Sequence, residues 1–310
     1  MKRIRFGVQA LQGMPDYASL KKVVLECERL KFDSVWVYDH LHFSYGPTLE
    51  CWTVLGALAE ATKSIRIGPL VTCNAYRYPS ILAKVAATVD MISNGRLNFG
   101  IGAGWLKEEA IAYGIPFPRG RERVEMLDEA LTIIRQLWTK DKAEFKGKYY
   151  SLSSAVCLPK PTQTPHPPIL VGGGTGTKML RVIAKHADAW DMGFETSEEI
   201  KGDLAKLKEA CSEVGRDPNT IENTYQSRVI IADEDEDAFA RAEKWREERH
   251  GKKDDPDWKT AIVGSPKKCI DQLKSLVDVG ITSFNLLFPD VLKLEPLRLF
   301  SGEVIPDFQE

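Results

Sequence analysis

In SVWVYDHLHFSYG, residues 34–46, a run of β-branched and aromatic residues stops on an acid and a histidine, Asp39 and His40. An imidazole at a strand end can exchange a proton near neutral pH, and the adjoining carboxylate can fix its tautomer or hydrogen-bond a cofactor ring. The plainer alternative is a strand-end histidine satisfied by backbone. His42 lies close by, but a metal centre on 40 and 42 has no third ligand near it in sequence, so no metal site is predicted.

Three further stretches carry chemistry. In GIGAGWLKEEAIAYG, 100–114, Gly100, Gly102 and Gly104, with Ala103 among them, let a ligand approach the backbone, and Glu108 and Glu109 follow as acid–base candidates or as ordinary solvated helix charges. The G-x-G-x-G spacing, fourth in strand order and followed by arginines, does not match the dinucleotide fingerprint. In VGGGTGTK, Gly172, Gly173, Gly174, Thr175 and Gly176 end a strand and open a helix, where backbone amides converge on an anion; Lys178 and Arg181 add charge. No G-K-[ST] ending is present. In IGPLVTCNAYRYP, Pro69 inside a strand signals a bulge beside a ligand.

The elements that must position these residues alternate. Strand-like runs start near Ile4, Ser34, Ile65, Arg96, Ile169, Ala189, Asn223 and Ser283, the early ones about thirty residues apart as in strand-helix-strand units. Between them run apolar helical stripes: Leu20, Val23, Val24, Cys27 and Leu30; Leu82, Val85, Ala86, Val89 and Ile92; Leu127, Ala130, Leu131, Ile134 and Leu137. Eight strands buried on both faces predict an α/β fold, a (β/α)8 TIM barrel forming one domain over residues 1–310. Active-site residues then belong at the carboxyl ends of the strands. Two insertions are expected, a hairpin and proline-rich loop at about 141–167 with Gly147 at its turn, and a charged helical insertion at about 234–262.

With 42 basic and 44 acidic residues in 310, no uniform field draws the chain to nucleic acid or an anionic membrane, and a small-molecule substrate is the expected partner. The six scattered cysteines read as buried thiols of a reducing compartment. MKRIRFGVQA runs straight into a strand pattern, and no window approaches the ~18 apolar residues of a membrane span, so a soluble cytoplasmic protein is expected.

Taken together, VWVYDHL, the stretch from IGPLVTCNAYRYP to GIGAGWLKEE, and PHPPILVGGG with ADAWD resemble the luciferase-like flavin and deazaflavin oxidoreductases over essentially the whole chain. The likeness is greatest to members using coenzyme F420, in which an Asp-His pair and a glutamate after the fourth strand face the cofactor; Asp39, His40 and Glu109 occupy those positions. The resemblance further implies a non-proline cis peptide at Leu70-Val71 which, with Thr72 beyond it, forms a bulge backing one face of the tricyclic ring. The loop 172–177 would hold the cofactor phosphate. The implied reaction is hydride transfer between F420 and a small organic substrate, with His40 moving the accompanying proton and Glu109 orienting or protonating the opposite side. The alternatives are a reduced-FMN monooxygenase of the same superfamily, a non-catalytic flavin-binding protein, and a metal-dependent barrel lyase or hydrolase. The family also implies a homodimer. Its sugar-phosphate dehydrogenases place a tryptophan just after the histidine; here Phe43, Ser44 and Tyr45 stand there, so that substrate is not carried over.

Overall fold

The computed structural model describes residues 3–10, 16–42, 47–248 and 256–309; Phe43, Ser44 and Tyr45 lie outside them. Eight parallel strands form the ring: β1 (Arg5–Gln9), β2 (Ser34–Val37), β3 in two pieces (Arg66–Pro69 and Thr72–Cys73), β4 (Phe99–Gly102), β5 (Ile169–Gly172), β6 (Ala189–Gly193), β7 (Glu222–Ile231) and β8 (Ser283–Leu287). The order around the barrel is β3-β2-β1-β8-β7-β6-β5-β4. Ile67 bridges Leu97 below the break in β3, and Thr72 and Cys73 pair with Ile101 and Gly102 above it, which closes the ring.

Alternation along the strands sorts side chains to two faces. Phe6, Val8, Val35, Val37, Phe99, Ile101, Ile169, Val171, Phe284 and Leu286 point outward into one continuous core with the helices. Trp36, Leu170 and Ala189 point inward and form a second, small cluster on which Leu70 and Val71 rest half-buried. That cluster is the apolar floor of the barrel's carboxyl end.

The helices cover the ring through their apolar stripes: α1 (Tyr17–Arg29), α2 (Cys51–Ala61), α3 (Pro79–Ile92), the short α4 (Lys107–Ala112), α5 (Gly120–Thr139), α6 (Thr177–His186) and α7 (Ser197–Glu213). Asp16 caps α1 by accepting from the Ser19 N–H at 2.7 Å, and Thr196 with Glu199 forms a capping box on α7. The stripe predicted for α3 holds except at Ile92, the last helical residue, which is exposed; Ala83 and Ala87 are buried instead.

The first insertion carries an antiparallel hairpin, Ala143–Lys146 with Ser151–Ala155, joined by a turn from Gly147 to Tyr150. The second differs from a purely helical excursion. After α8 (Asp235–Glu248) and α9 (Pro256–Lys259), a strand at Ile262–Gly264 pairs with the last three residues of the ten-residue β7, outside the ring. The chain then enters α10 (Pro266–Asp278), β8 and α11 (Glu295–Glu303), where Phe300 packs edge-on against Phe6. No helix among the described residues is long and apolar enough to cross a membrane.

Candidate active site

His40 and Glu109 meet at the carboxyl rim although 69 residues separate them. His40 Nδ1 lies 2.8 Å from Glu109 Oε2. The short helix α4, opened by the turn at Gly104, lowers Glu109 into the barrel wall, where it is fully buried. Its carboxylate accepts three more hydrogen bonds: from the Leu41 N–H at 2.5 Å, the His42 N–H at 2.9 Å and the Tyr76 hydroxyl at 2.5 Å. Burial alone would push this carboxyl up, but donation from Tyr76, His42 and His40 outweighs it and holds Glu109 below the ordinary carboxylate value. Burial, reinforced by the bond to Glu109, pushes the Tyr76 hydroxyl up, so it stays a donor.

The geometry corrects one expectation. Glu109 stands behind His40, not on the opposite side of the site, and as a carboxylate with four donors it has no proton to give. It lies against the imidazole: facing a carboxylate, Nδ1 carries the hydrogen, which puts the ring lone pair on Nε2. The His40 ring packs against Tyr38 and Trp105, each with its centroid 5.5 Å away. Trp105 is 66% exposed.

Asp39 is placed differently from the expectation that it contacts a cofactor. It is 4% exposed, and both its oxygens accept from Arg77, at 2.6 and 3.0 Å. It also accepts from the Thr72 hydroxyl and the Cys73 N–H. Thr72 is itself fully buried and accepts from Trp52 Nε1 at 3.0 Å. The physical reason is charge pairing: a buried carboxylate needs a partner, and the Arg77 fork supplies it bidentately while also reaching Glu50. Asp39 therefore ties the end of β2 to the second piece of β3.

Between the two pieces of β3 the Leu70-Val71 peptide is cis. Val71 packs against glycines of the neighbouring strands. A Cβ at Gly102 would lie 2.9 Å from Val71 Cγ2, and one at Gly172 would lie 3.1 Å from both Val71 methyls. A side chain at Gly102 would thus force Val71 to shift and one at Gly172 would crowd it, while Gly104 is set by its own left-handed backbone, φ +80°. Ala103 and Gly173 are half-buried beside them, Gly173 accepting from Trp190 Nε1.

Gly174 and Gly176 are another matter. Neither has a left-handed φ, and a Cβ on either would meet nothing within 4 Å. The chain itself does not need glycine there. With Thr175 between them they form an exposed cradle ahead of Thr177, the first residue of α6, so amides and a helix amino terminus face the same space. This fits the phosphate of a bound cofactor, and the half-buried Leu70 and Val71 fit one face of a flat ring. Lys178 pairs with Glu125, and Arg181 with Glu213 at 2.7 Å, so neither adds an uncompensated charge.

Sequence reasoning missed Tyr76 and Arg77 as site residues, although both sit in the stretch singled out for Pro69.

A parallel eight-stranded barrel with a broken third strand, a histidine and carboxylate at its rim and an anion cradle after β5 defines a cofactor-dependent barrel of the luciferase-like kind. Residues 3–283 match the luciferase-like monooxygenase family, and the chain belongs to it. An F420-dependent glucose-6-phosphate dehydrogenase from Amycolatopsis mediterranei is 29% identical over 99% of this chain and 98% of its own length. The fold is similar to that of an F420-dependent secondary alcohol dehydrogenase solved with an F420-acetone adduct, with a TM-score of 0.85 and 25% identity over 99% of this chain and all of that one. It is also similar to that of a monooxygenase from Streptomyces bottropensis, with a TM-score of 0.84 and 22% identity over 98% of this chain and all of that one.

Proposed function

We propose that this protein is an oxidoreductase that transfers a hydride between coenzyme F420 and a small organic substrate. The observation that carries the reading is the His40–Glu109 pair, set beside the apolar floor of Leu70 and Val71. The names of two relatives, both F420-dependent dehydrogenases, support it.

Leu70 and Val71 would back one face of the cofactor ring, and Gly174, Thr175, Gly176 and the start of α6 would hold its phosphate. When bound, the deazaflavin supplies the carbon that takes or gives the hydride. The protein does the rest. His40 Nε2 accepts the proton of a substrate hydroxyl as it becomes a carbonyl, or returns it in the reverse direction. Glu109 holds the ring through Nδ1 and stabilises the imidazolium that forms, as a buried carboxylate does for a catalytic histidine. Asp39 and Arg77 lock the strand end that carries His40. Trp105 and Tyr38 pack on the ring and limit its movement.

A second reading, a monooxygenase using reduced FMN, is favoured by the family to which the chain belongs, the luciferase-like monooxygenases, and by a cradle that suits the phosphate of either cofactor. Titration of the purified apo protein with F420 and, separately, with FMN, followed by cofactor fluorescence, decides between them. F420 binding at least tenfold tighter than FMN is expected; the reverse order would move the protein to the monooxygenase reading, and binding of neither would refute both. We also propose a cytoplasmic homodimer. Six unpaired, buried thiols support a reducing compartment. Exposed Tyr78, Ile81, Val156 and Leu158, on α3 and the neighbouring insertion, supply an apolar face for a second copy.

A further inference from the structure

One ionisable group inside the barrel has no part in this mechanism. Asp191 lies on β6, four strands in either direction around the ring from β2, the strand that leads to His40, so the two strands stand on opposite walls of the barrel. It shares the inward face of β6 with Ala189, which packs on Trp36. Only 9% of the residue is exposed. Its Oδ1 accepts from the Thr224 hydroxyl at 2.8 Å and from Asn285 Nδ2 at 2.7 Å. Its Oδ2 has no hydrogen-bond partner among the described residues.

Its neighbours give this oxygen its level. Asp191 lies two residues beyond Ala189 of the apolar floor on the same inward face, and its partner Asn285 pairs with Gly7, where a Cβ would meet Trp36 of that floor. Asp191 therefore borders the apolar floor from inside the barrel. Fully buried Asn285 adds an acceptor, Oδ1, that also has no partner among the described residues. A buried carboxyl anchored by one oxygen and open at the other costs free energy unless something hydrogen-bonds it when the site fills.

Building on the hydride-transfer reading, we propose that Asp191 is a second polar anchor of the site, its Oδ2 receiving an O–H or N–H of a bound molecule across the barrel from His40. The donor is either the polar edge of the cofactor ring or a second hydroxyl of the substrate. Burial, only partly offset by donation from Asn285 and Thr224, pushes the Asp191 carboxyl up to about 6. Glu195, four residues on, is pushed up to about 7 by burial and then by the nearby charges of Asp203 and Asp191. Both fit a wall that exchanges hydrogen bonds with a polar ligand.

The test uses the F420-loaded full chain, with ¹³C-carboxyl-labelled aspartate and the Asp191 resonance assigned through D191N. That variant keeps an oxygen for Thr224 and Asn285, so it is expected to fold. If the cofactor is the donor, the resonance moves when F420 is added to apo protein, and D191A weakens F420 binding about tenfold, the worth of one hydrogen bond. If the substrate is the donor, F420 leaves the resonance in place and hexane-2,5-diol moves it. In that case D191A raises KM for the diol about tenfold more than it raises KM for hexan-2-ol. A resonance that responds to neither ligand overturns the proposal, as does a D191A variant with both F420 affinity and diol KM unaltered. A wild-type protein that shows the shift yet turns over neither alcohol would leave the anchor standing and count against the hydride-transfer reading.

Discussion

Arg77→Met tests whether the site is built on one buried ion pair. Arg77 gives Asp39 two hydrogen bonds, at 2.6 and 3.0 Å, and gives Glu50 a third at 2.5 Å. The Asp39 side chain is 1% exposed, so the variant strands a carboxylate that, among the described residues, keeps only Thr72 and Cys73 as donors. Removing one partner of a buried pair costs about 3–5 kcal/mol, most of it the desolvation of the charge left behind. The Glu50 contact adds little, because that carboxylate is 41% exposed. The same logic predicts a rescue. In Asp39→Asn/Arg77→Met the charge is gone, the substituted amide oxygen still accepts from the Thr72 hydroxyl and the Cys73 N–H, and the double variant should recover at least half of the loss. Guanidinium unfolding of the wild type, both single variants and the double variant closes the cycle. A single-variant loss below about 1 kcal/mol, or a double variant no better than Arg77→Met, would refute this account of why β2 and β3 hold together.

Three further outcomes are expected. His40→Ala should lower turnover by about 10²-fold or more with F420 affinity nearly unchanged, as measured by steady-state rates and fluorescence titration. Gly174→Ala meets no atom within 4 Å and should leave unfolding within about 1 kcal/mol of wild type while weakening F420 binding. Gly102→Ala, whose Cβ would press on Val71 and on the Gly172 carbonyl, should instead cost about 1–3 kcal/mol of stability. Asp191 adds a pH dependence: a carboxyl raised from 3.8 to about 6 on folding favours the folded state fully only while protonated. That contribution is lost as pH rises from about 4 through about 6, at most about 3 kcal/mol, and Asp191→Asn should flatten this part of the stability–pH curve. Equal slopes for variant and wild type between those values would contradict it.

The ring was legible because parallel strands covered on both faces leave continuous apolar runs, and all eight begin within a few residues of where the pattern puts them. The break in β3 was legible through Pro69. The partners of the charged groups were not. Tyr76 reaches Glu109 from 33 residues away and Arg77 reaches Asp39 from 38, and nothing in a local pattern says which strand ends meet. Asp39 consequently read as facing a ligand when its side chain faces a guanidinium. Glycines misled in a related way. Gly102, Gly172 and Gly174 look alike in sequence, yet the first two make room for Val71 and only the third is left without a task inside the protein. Strand Ile262–Gly264 was hidden by its length, three residues between charged segments.

That small strand has an architectural consequence. By pairing with Val229 to Ile231 it pins both ends of the intervening segment to the same strand, beyond the point where β7 has finished its ring contacts at Arg228. The entropy of closing such a loop grows only slowly with its length. What lies between Ile231 and Ile262 can therefore be lengthened, shortened or exchanged with little penalty to the barrel. The same closure makes this a natural seam for grafting.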